Sequence, residues 1–181
     1  MIQGIGAALA GLTAGQQRMD ALANDTANVD TTGFKVDPAR PVQGALIETG
    51  QPLDLAIEGN GAFQLAGGLQ TRDGSFQLDA SAQIVSSSGA SLAPPVQLPP
   101  GTDASSVRIS PSGGVFVGGA QVGQVQTVGS GVIRQGTLES SNVDLADTAV
   151  GQIETRTSYA AAVKALHVQD EMWASLMELR R

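Results

Sequence analysis

The sequence predicts an α+β fold in which N- and C-terminal helices form a coiled-coil-like arm and a small, mostly antiparallel β domain is inserted between them. Three observations carry this. Apolar residues recur every three or four positions over 2–23 and again over 143–181. From about 45 to 135 the texture changes to short runs of alternating apolar and polar residues, broken by Gly, Pro, Ser and Asn. Only six residues are aromatic (Phe34, Phe63, Phe76, Phe116, Tyr159 and Trp173) against 23 glycines in 181 residues, so any core rests on small aliphatic side chains, short strands and tight turns.

The first helix has its apolar positions at Ile2, Ile5, Leu9, Leu12, Met19 and Ala23, interrupted at Gln16, a narrow seam that demands a partner. Gly4, Gly6, Gly11 and Gly15 lie inside it. Each costs about 0.8–1 kcal/mol relative to alanine, roughly 3–4 kcal/mol together, more than a short isolated helix offsets. The segment is therefore expected to order only on packing. "ALANDTANVDTTGFK" (21–35) then closes it. Asn and Thr offer helix-ending and turn hydrogen bonds, Gly33 permits a backbone conformation closed to other residues, and Phe34 anchors the way out.

In the middle zone, Leu53, Leu55 and Ile57 share one strand face. Phe76 and Leu78 precede a turn and Ile84 follows it, which predicts a hairpin. Val107 and Ile109, a Pro-Ser-Gly-Gly turn, then Val115 and Val117 predict a second. In the last helix the stripe comprises Val150, Ile153, Ala161, Ala165, Val168, Met172, Leu176 and Leu179, with Thr157 as a polar member. Asp144 and Asp147 near its start and Arg180 and Arg181 at its end complement the helix dipole. The expected layout is 1–35 for the N-terminal assembly helix and its Asn/Thr/Gly motif, 36–142 for a linker and the β domain, and 143–181 for the C-terminal assembly helix.

Composition excludes several functions. With 17 acidic residues, 10 basic ones and a net charge of −7, no basic stripe exists to meet nucleic-acid phosphates. There are no cysteines, hence no disulfides or thiolate metal sites. No basic residue precedes the glycine-broken apolar start "MIQGIGAALAGLTAG", so no cleaved signal is expected, and no run approaches the ~18 apolar residues of a membrane span. The lone histidine, His167, sits in the last helix. Asp54, Glu58, Asp73 and Asp79 lie beside turns, where Asp is an ordinary turn former. "GNG" (59–61) and "GGLQTRDG" (67–74) lack the lysine and strand-to-helix setting of a phosphate loop. "DGSFQLD" has too few carboxylates for calcium. No enzyme activity, cofactor or metal is expected.

Four segments in order resemble the axial proteins of the bacterial flagellum, the rod and hook subunits. Asn28-Val29-Asp30-Thr31-Thr32-Gly33-Phe34-Lys35 looks like that family's N-terminal signature, in which Asn28, Thr31, Gly33, Phe34 and Lys35 match. "PLDLAIEGNGAFQL" (52–65), "TRDGSFQLDASAQIVSSSG" (71–89) and "QGTLESSNVDLADTAVGQIETRTSYAAAVKAL" (135–166) resemble its other recurring blocks. The resemblance implies a structural subunit of the basal-body rod that polymerises helically into the tubular axial drive shaft. Its partners would be copies of itself and other rod and hook proteins, with delivery by the flagellar type III export apparatus. It would reside in the periplasm-spanning basal body, with no membrane insertion. A hook subunit is the alternative. A secreted β-rich carbohydrate-binding or adhesin module is the rival from another class, and it requires exposed aromatic platforms.

Within this reading Ile5, Leu9, Leu12, Met19, Ile153, Val168, Met172, Leu176 and Leu179 are expected at assembly interfaces, while an intramolecular two-helix core would use the same residues. The chain departs from the family in four places. Asp25, Thr26, Ala27 and Asn28 stand where relatives have Asn-Leu-Ala-Asn or Asn-Ile-Ala-Asn, so the first helix is expected to fray early. Ala82 replaces a usual glycine, arguing against a positive-φ turn there. Glu154, Thr155, Arg156, Thr157, Ser158 and Tyr159 keep only the tyrosine of the usual arrangement. Two insertions are missing, one after Lys35 and one after "VGQVQTV".

Overall fold

The structure is a computed structural model that describes residues 2–37 and 42–179, without the side chains of 2–5, 7 and 8. The side chains of Ile2 and Ile5, and Arg180 and Arg181 altogether, lie outside the described residues. The fold is α+β, with a helix at each end and small antiparallel sheets between. Helix α1 spans Ile2–Ala27. Strands β1 (Leu46–Glu48), β2 (Leu55–Gly59), β3 (Ala62–Gln64), β4 (Gln70–Thr71), β5 (Phe76–Leu78) and β6 (Ile84–Ser86) follow. Then come β7 (Val107–Ile109), β8 (Gly114–Val117), β9 (Ala120–Gln124), β10 (Thr127–Val128), β11 (Gly131–Gln135) and β12 (Thr137–Glu139), before helix α2 (Leu145–Glu178). Two compact units result: Met1–Ala27 with Asp144–Arg181, and Asn28–Val143. None of the described helices is long and apolar enough to cross a membrane.

In the helical unit, α1 turns Leu12, Gly15, Met19, Leu22 and Asp25 inward, each half-buried, while Leu9 is 61% exposed. Leu12 and Met19 are shared with the expected seam. Gly15 and Leu22 take the places expected of Gln16 and Ala23, because Gly15 admits the Tyr159 ring and Leu22 fills the space left by Gly151 on α2. A Cβ on Gly15 would rest 3.5 Å from the Tyr159 ring, and one on Gly151 would meet Leu22 Cδ2 at 3.2 Å. On α2 the inward stripe is Thr148, Gly151 and Thr155, all buried, continued by half-buried Ala162, Val163, Leu166 and Gln169. The buried hydroxyls bond back into their own helix, Thr148 Oγ1 to Asp144 O and Thr155 Oγ1 to Gly151 O, both at 2.7 Å, so their burial leaves no donor unpaired.

Asp144 caps α2 by accepting the Ala146 and Asp147 N–H groups at 2.8 and 3.3 Å. Contrary to the expected early fraying, α1 is helical through Ala27. Thr26 Oγ1 bonds to Leu22 O at 2.8 Å and accepts Gln152 Nε2 at 3.2 Å, so the polar residue in an apolar position is paired. Partial burial raises the Asp25 carboxyl above its ordinary value.

The β unit closes on its own two ends, since β1 pairs with β12 (Ile47↔Leu138). Strand β2 pairs with β11 (Ile57↔Ile133), β3 lies between β10 and β4, and β8 between β7 and β9. Both expected hairpins form, with registers Leu78↔Ile84 and Ile109↔Val115. Leu55, Ile57, Phe63, Ile84, Leu92, Val107 and Val115 are fully buried in one apolar cluster, where Phe63 and Phe76 meet edge to face at 5.1 Å.

Ala82 corrects one expectation: its φ is +57° although no glycine is present. The Asp79 carboxylate accepts the Ser81 and Gln83 N–H groups, both at 2.8 Å, Ala82 N–H donates to Asp79 O at 3.0 Å, and Leu98 N–H donates to Ala82 O at 2.8 Å. These four bonds offset the cost of about 1–2 kcal/mol of left-handed alanine.

Candidate functional site

The Asn/Thr/Gly motif folds as a loop within the β unit. Thr31 N–H donates to Asn28 O and Thr31 Oγ1 to Asn28 Oδ1, both at 3.1 Å, and Phe34 N–H donates to Thr31 O at 3.2 Å. Gly33 sits at φ +67°, where its N–H reaches Glu139 O at 2.8 Å. A Cβ there would fall 2.3 Å from the Arg72 carbonyl carbon, so only glycine fits.

The loop ends on a buried ion cluster. Glu139, 1% exposed, is ion-paired with Lys35 and receives Arg72 Nη1 on Oε2 at 2.9 Å and on Oε1 at 3.1 Å. Gly44 N–H adds a bond to Oε1 at 2.8 Å, and Arg72 Nη2 donates to Gly59 O. A carboxylate this deep is tolerable only with its charge paired and its lone pairs filled, both of which hold here.

Beside it, Asp73 Oδ1 accepts Thr32 Oγ1 at 2.7 Å, Ser75 Oγ at 2.7 Å and Ser75 N–H at 3.0 Å, and Oδ2 accepts Ser87 Oγ at 2.6 Å. Burial pushes this carboxyl up, but the bonds from Ser87, Ser75 and Thr32 outweigh it and hold the group below its ordinary value. Asn142 finishes the junction. Its N–H donates to Phe34 O at 3.3 Å, its Oδ1 accepts Val36 N–H at 2.9 Å, and its Nδ2 donates to Val42 O at 3.1 Å.

Of the motif residues, the structure joins Gly33 and Lys35 to Glu139, Phe34 to Asn142, and Asn28 to Thr31. Sequence reasoning missed Arg72, Glu139 and Asn142 and gave Asp73 only as a turn former, although all four lie in the recurring blocks quoted above. Period-two reading misplaces Glu139 in particular, since in Thr137-Leu138-Glu139 it is Leu138 that is half-exposed and the charge that points inward. The expected interface residues Leu9, Ile153, Val168, Met172, Leu176 and Leu179 are 51–82% exposed, whereas Leu12 and Met19 are half-buried against α2.

The remaining carboxylates singled out earlier are engaged in structure. Asp54 Oδ2 accepts Thr49 Oγ1 at 2.5 Å, Glu58 pairs with Arg134 at 2.7 Å, and Asp79 holds its turn. Phe63 and Phe76 are buried and Phe116 is half-buried, which supplies no exposed aromatic platform among the described residues of the β unit.

A stapled β unit whose polar groups serve turns and ion pairs, with bulky apolar side chains exposed on the helices that precede and follow it in the chain, is the arrangement of a structural subunit. Comparison with known proteins agrees along the chain. Residues 5–35 match the flagella basal body rod protein family model, 56–117 the flagellar hook protein FlgE/F/G D1 domain, and 134–179 the flagellar basal body rod FlgEFG protein C-terminal model. The chain belongs to the flagellar basal-body rod protein family, whose members are structural and not catalytic.

It is similar to the flagellar basal-body rod protein FlgG of Buchnera aphidicola (subsp. Acyrthosiphon pisum), at 28% identity over 99% of this chain and 100% of the relative. FlgG of Borreliella burgdorferi is also 28% identical, over 100% of both chains, and FlgG of Bacillus subtilis 24%, again over 100% of both. These alignments run to 262, 264 and 266 positions against 181 residues here, so the relatives carry segments that this chain lacks.

Proposed function

We propose that this rod subunit polymerises with helical symmetry through its terminal helices, which act as a coiled-coil arm, into the tubular axial drive shaft of the flagellum. The observation that carries the reading is the exposed apolar surface of α2. Its buried positions are Thr148, Gly151 and Thr155, while Ile153, Val168, Met172, Leu176 and Leu179 are 66%, 55%, 56%, 51% and 82% exposed. Such a surface costs free energy in water and is satisfied by other subunits. A heterologous, non-closing contact of that kind builds a filament.

The proposed partners are copies of this chain and other rod and hook proteins. The subunit would reach the basal body through the flagellar type III export apparatus without a cleaved signal, the helices ordering on docking. In this scheme residues 1–35 and 143–181 make the assembly contacts and 36–142 form the outward domain.

Electron microscopy of isolated basal bodies with this subunit labelled tests the reading, the label being expected within the rod. The model shared with hook protein over 56–117 keeps a hook subunit as the alternative, and label along the hook would select it.

A further inference from the structure

We infer that the Lys35–Glu139–Arg72 cluster is a latch that makes the incoming loop and the outgoing strand of the β unit open and close as one step. The side chains of Lys35, Arg72 and Glu139 are 8%, 7% and 1% exposed. One carboxylate is therefore the shared counter-ion of two desolvated cations, with Gly59 O also accepting from Arg72, and without it both would have to return to water. Each cation carries a segment with it.

Lys35 ends the motif loop, and Arg72 precedes Asp73, which holds that loop through Thr32. The reverse dependence is as strong, because β12 cannot bury Glu139 unless both cations are already in place. Strand β12 is held laterally by three register pairs with β1 and by Thr137 N–H on Asp54 O, and the ion cluster fixes the side chain of its last residue. The latch does not depend on the assembly reading and goes beyond it.

Two amides report on the latch from different segments: Gly33 N–H on the Glu139 carbonyl, and Gly44 N–H on its Oε1, both at 2.8 Å. Ile57 and Ile133, paired across β2 and β11, report on the core. Residue-resolved hydrogen exchange on the full chain is expected to give Gly33 and Gly44 equal protection, lower than that of Ile57 and Ile133.

Glu139→Gln should lower the protection of both glycines together, by about 100-fold, while Ile57 and Ile133 keep theirs. Lys35→Met, which leaves a balanced Arg72–Glu139 pair, should lower both equally by a smaller factor. Unequal responses at Gly33 and Gly44, or no response to Glu139→Gln, overturn the latch. If Glu139→Gln unfolds the whole unit, Lys35→Met decides: equal loss at the two glycines with Ile57 and Ile133 retained supports it, and any other pattern overturns it.

Discussion

Lys35 and Glu139, 104 positions apart in the chain, form an ion pair in which the lysine side chain is 8% and the glutamate 1% exposed. The last residue of the loop after α1 is thereby fixed to the last strand before α2, within one folded unit. Arg72 completes the cluster from between them.

Gly33 carries the backbone that permits this approach. Gly33→Ala would place a Cβ 2.3 Å from the Arg72 carbonyl carbon at a φ of +67°. A loss of about 2–4 kcal/mol is expected, read as a lowered midpoint in urea unfolding of the full chain. An unchanged midpoint would show that the loop yields at no cost.

Ala82 offers the opposite test. At φ +57° an alanine is strained and a glycine is not. Ala82→Gly is expected to stabilise the β unit by about 1 kcal/mol, raising its thermal midpoint by a few degrees. A lowered midpoint would mean that the contact of this methyl with the core outweighs the backbone term.

Asp73 makes stability depend on pH. Its carboxyl titrates lower in the folded state than unfolded, so its contribution is fully present above the unfolded value and lost as pH falls through the folded one. The stability difference between the protein and Asp73→Asn should therefore be largest near pH 7 and shrink below about pH 4. Urea titrations at both pH values check this, and a gap that widens in acid would reverse the sign.

Gly151 and Leu176 separate two stretches of α2, the buried contact with α1 and the exposed C-terminal end. Gly151→Leu puts bulk where a Cβ alone already stands 3.2 Å from Leu22, so α1 should detach, seen as lost helical circular dichroism. Gly151→Ala asks only a few tenths of an ångström of Leu22 and regains about 1 kcal/mol of helix propensity, so it should be tolerated.

Leu176→Asp acts on the exposed C-terminal stretch of α2 and is expected to block polymer formation while leaving the β unit folded. Sedimentation for assembly and protease resistance for the β unit give the two readouts. Normal polymers from this variant would remove the stripe from the assembly contact.

The chain's order of helix, β unit and helix was legible because hydrophobic period is a local property: Leu53, Leu55 and Ile57 alternate, and two hairpins announce themselves through turn residues beside paired apolar runs. Gly33 was legible for the same reason, since a glycine after a helix and before an aromatic marks a backbone turn. Which face of a helix meets its neighbour is not local. On α2, Ile153 looks like the seam by hydrophobicity, yet close approach requires Gly151 and Thr155, and the larger residue stays outside. Glu139 and Arg72 were hidden more deeply, because in one dimension a charge in a strand reads as solvent-facing. Only tertiary structure brings Lys35, Arg72 and Glu139 to one buried point, where a carboxylate shared by two cations makes their desolvation affordable.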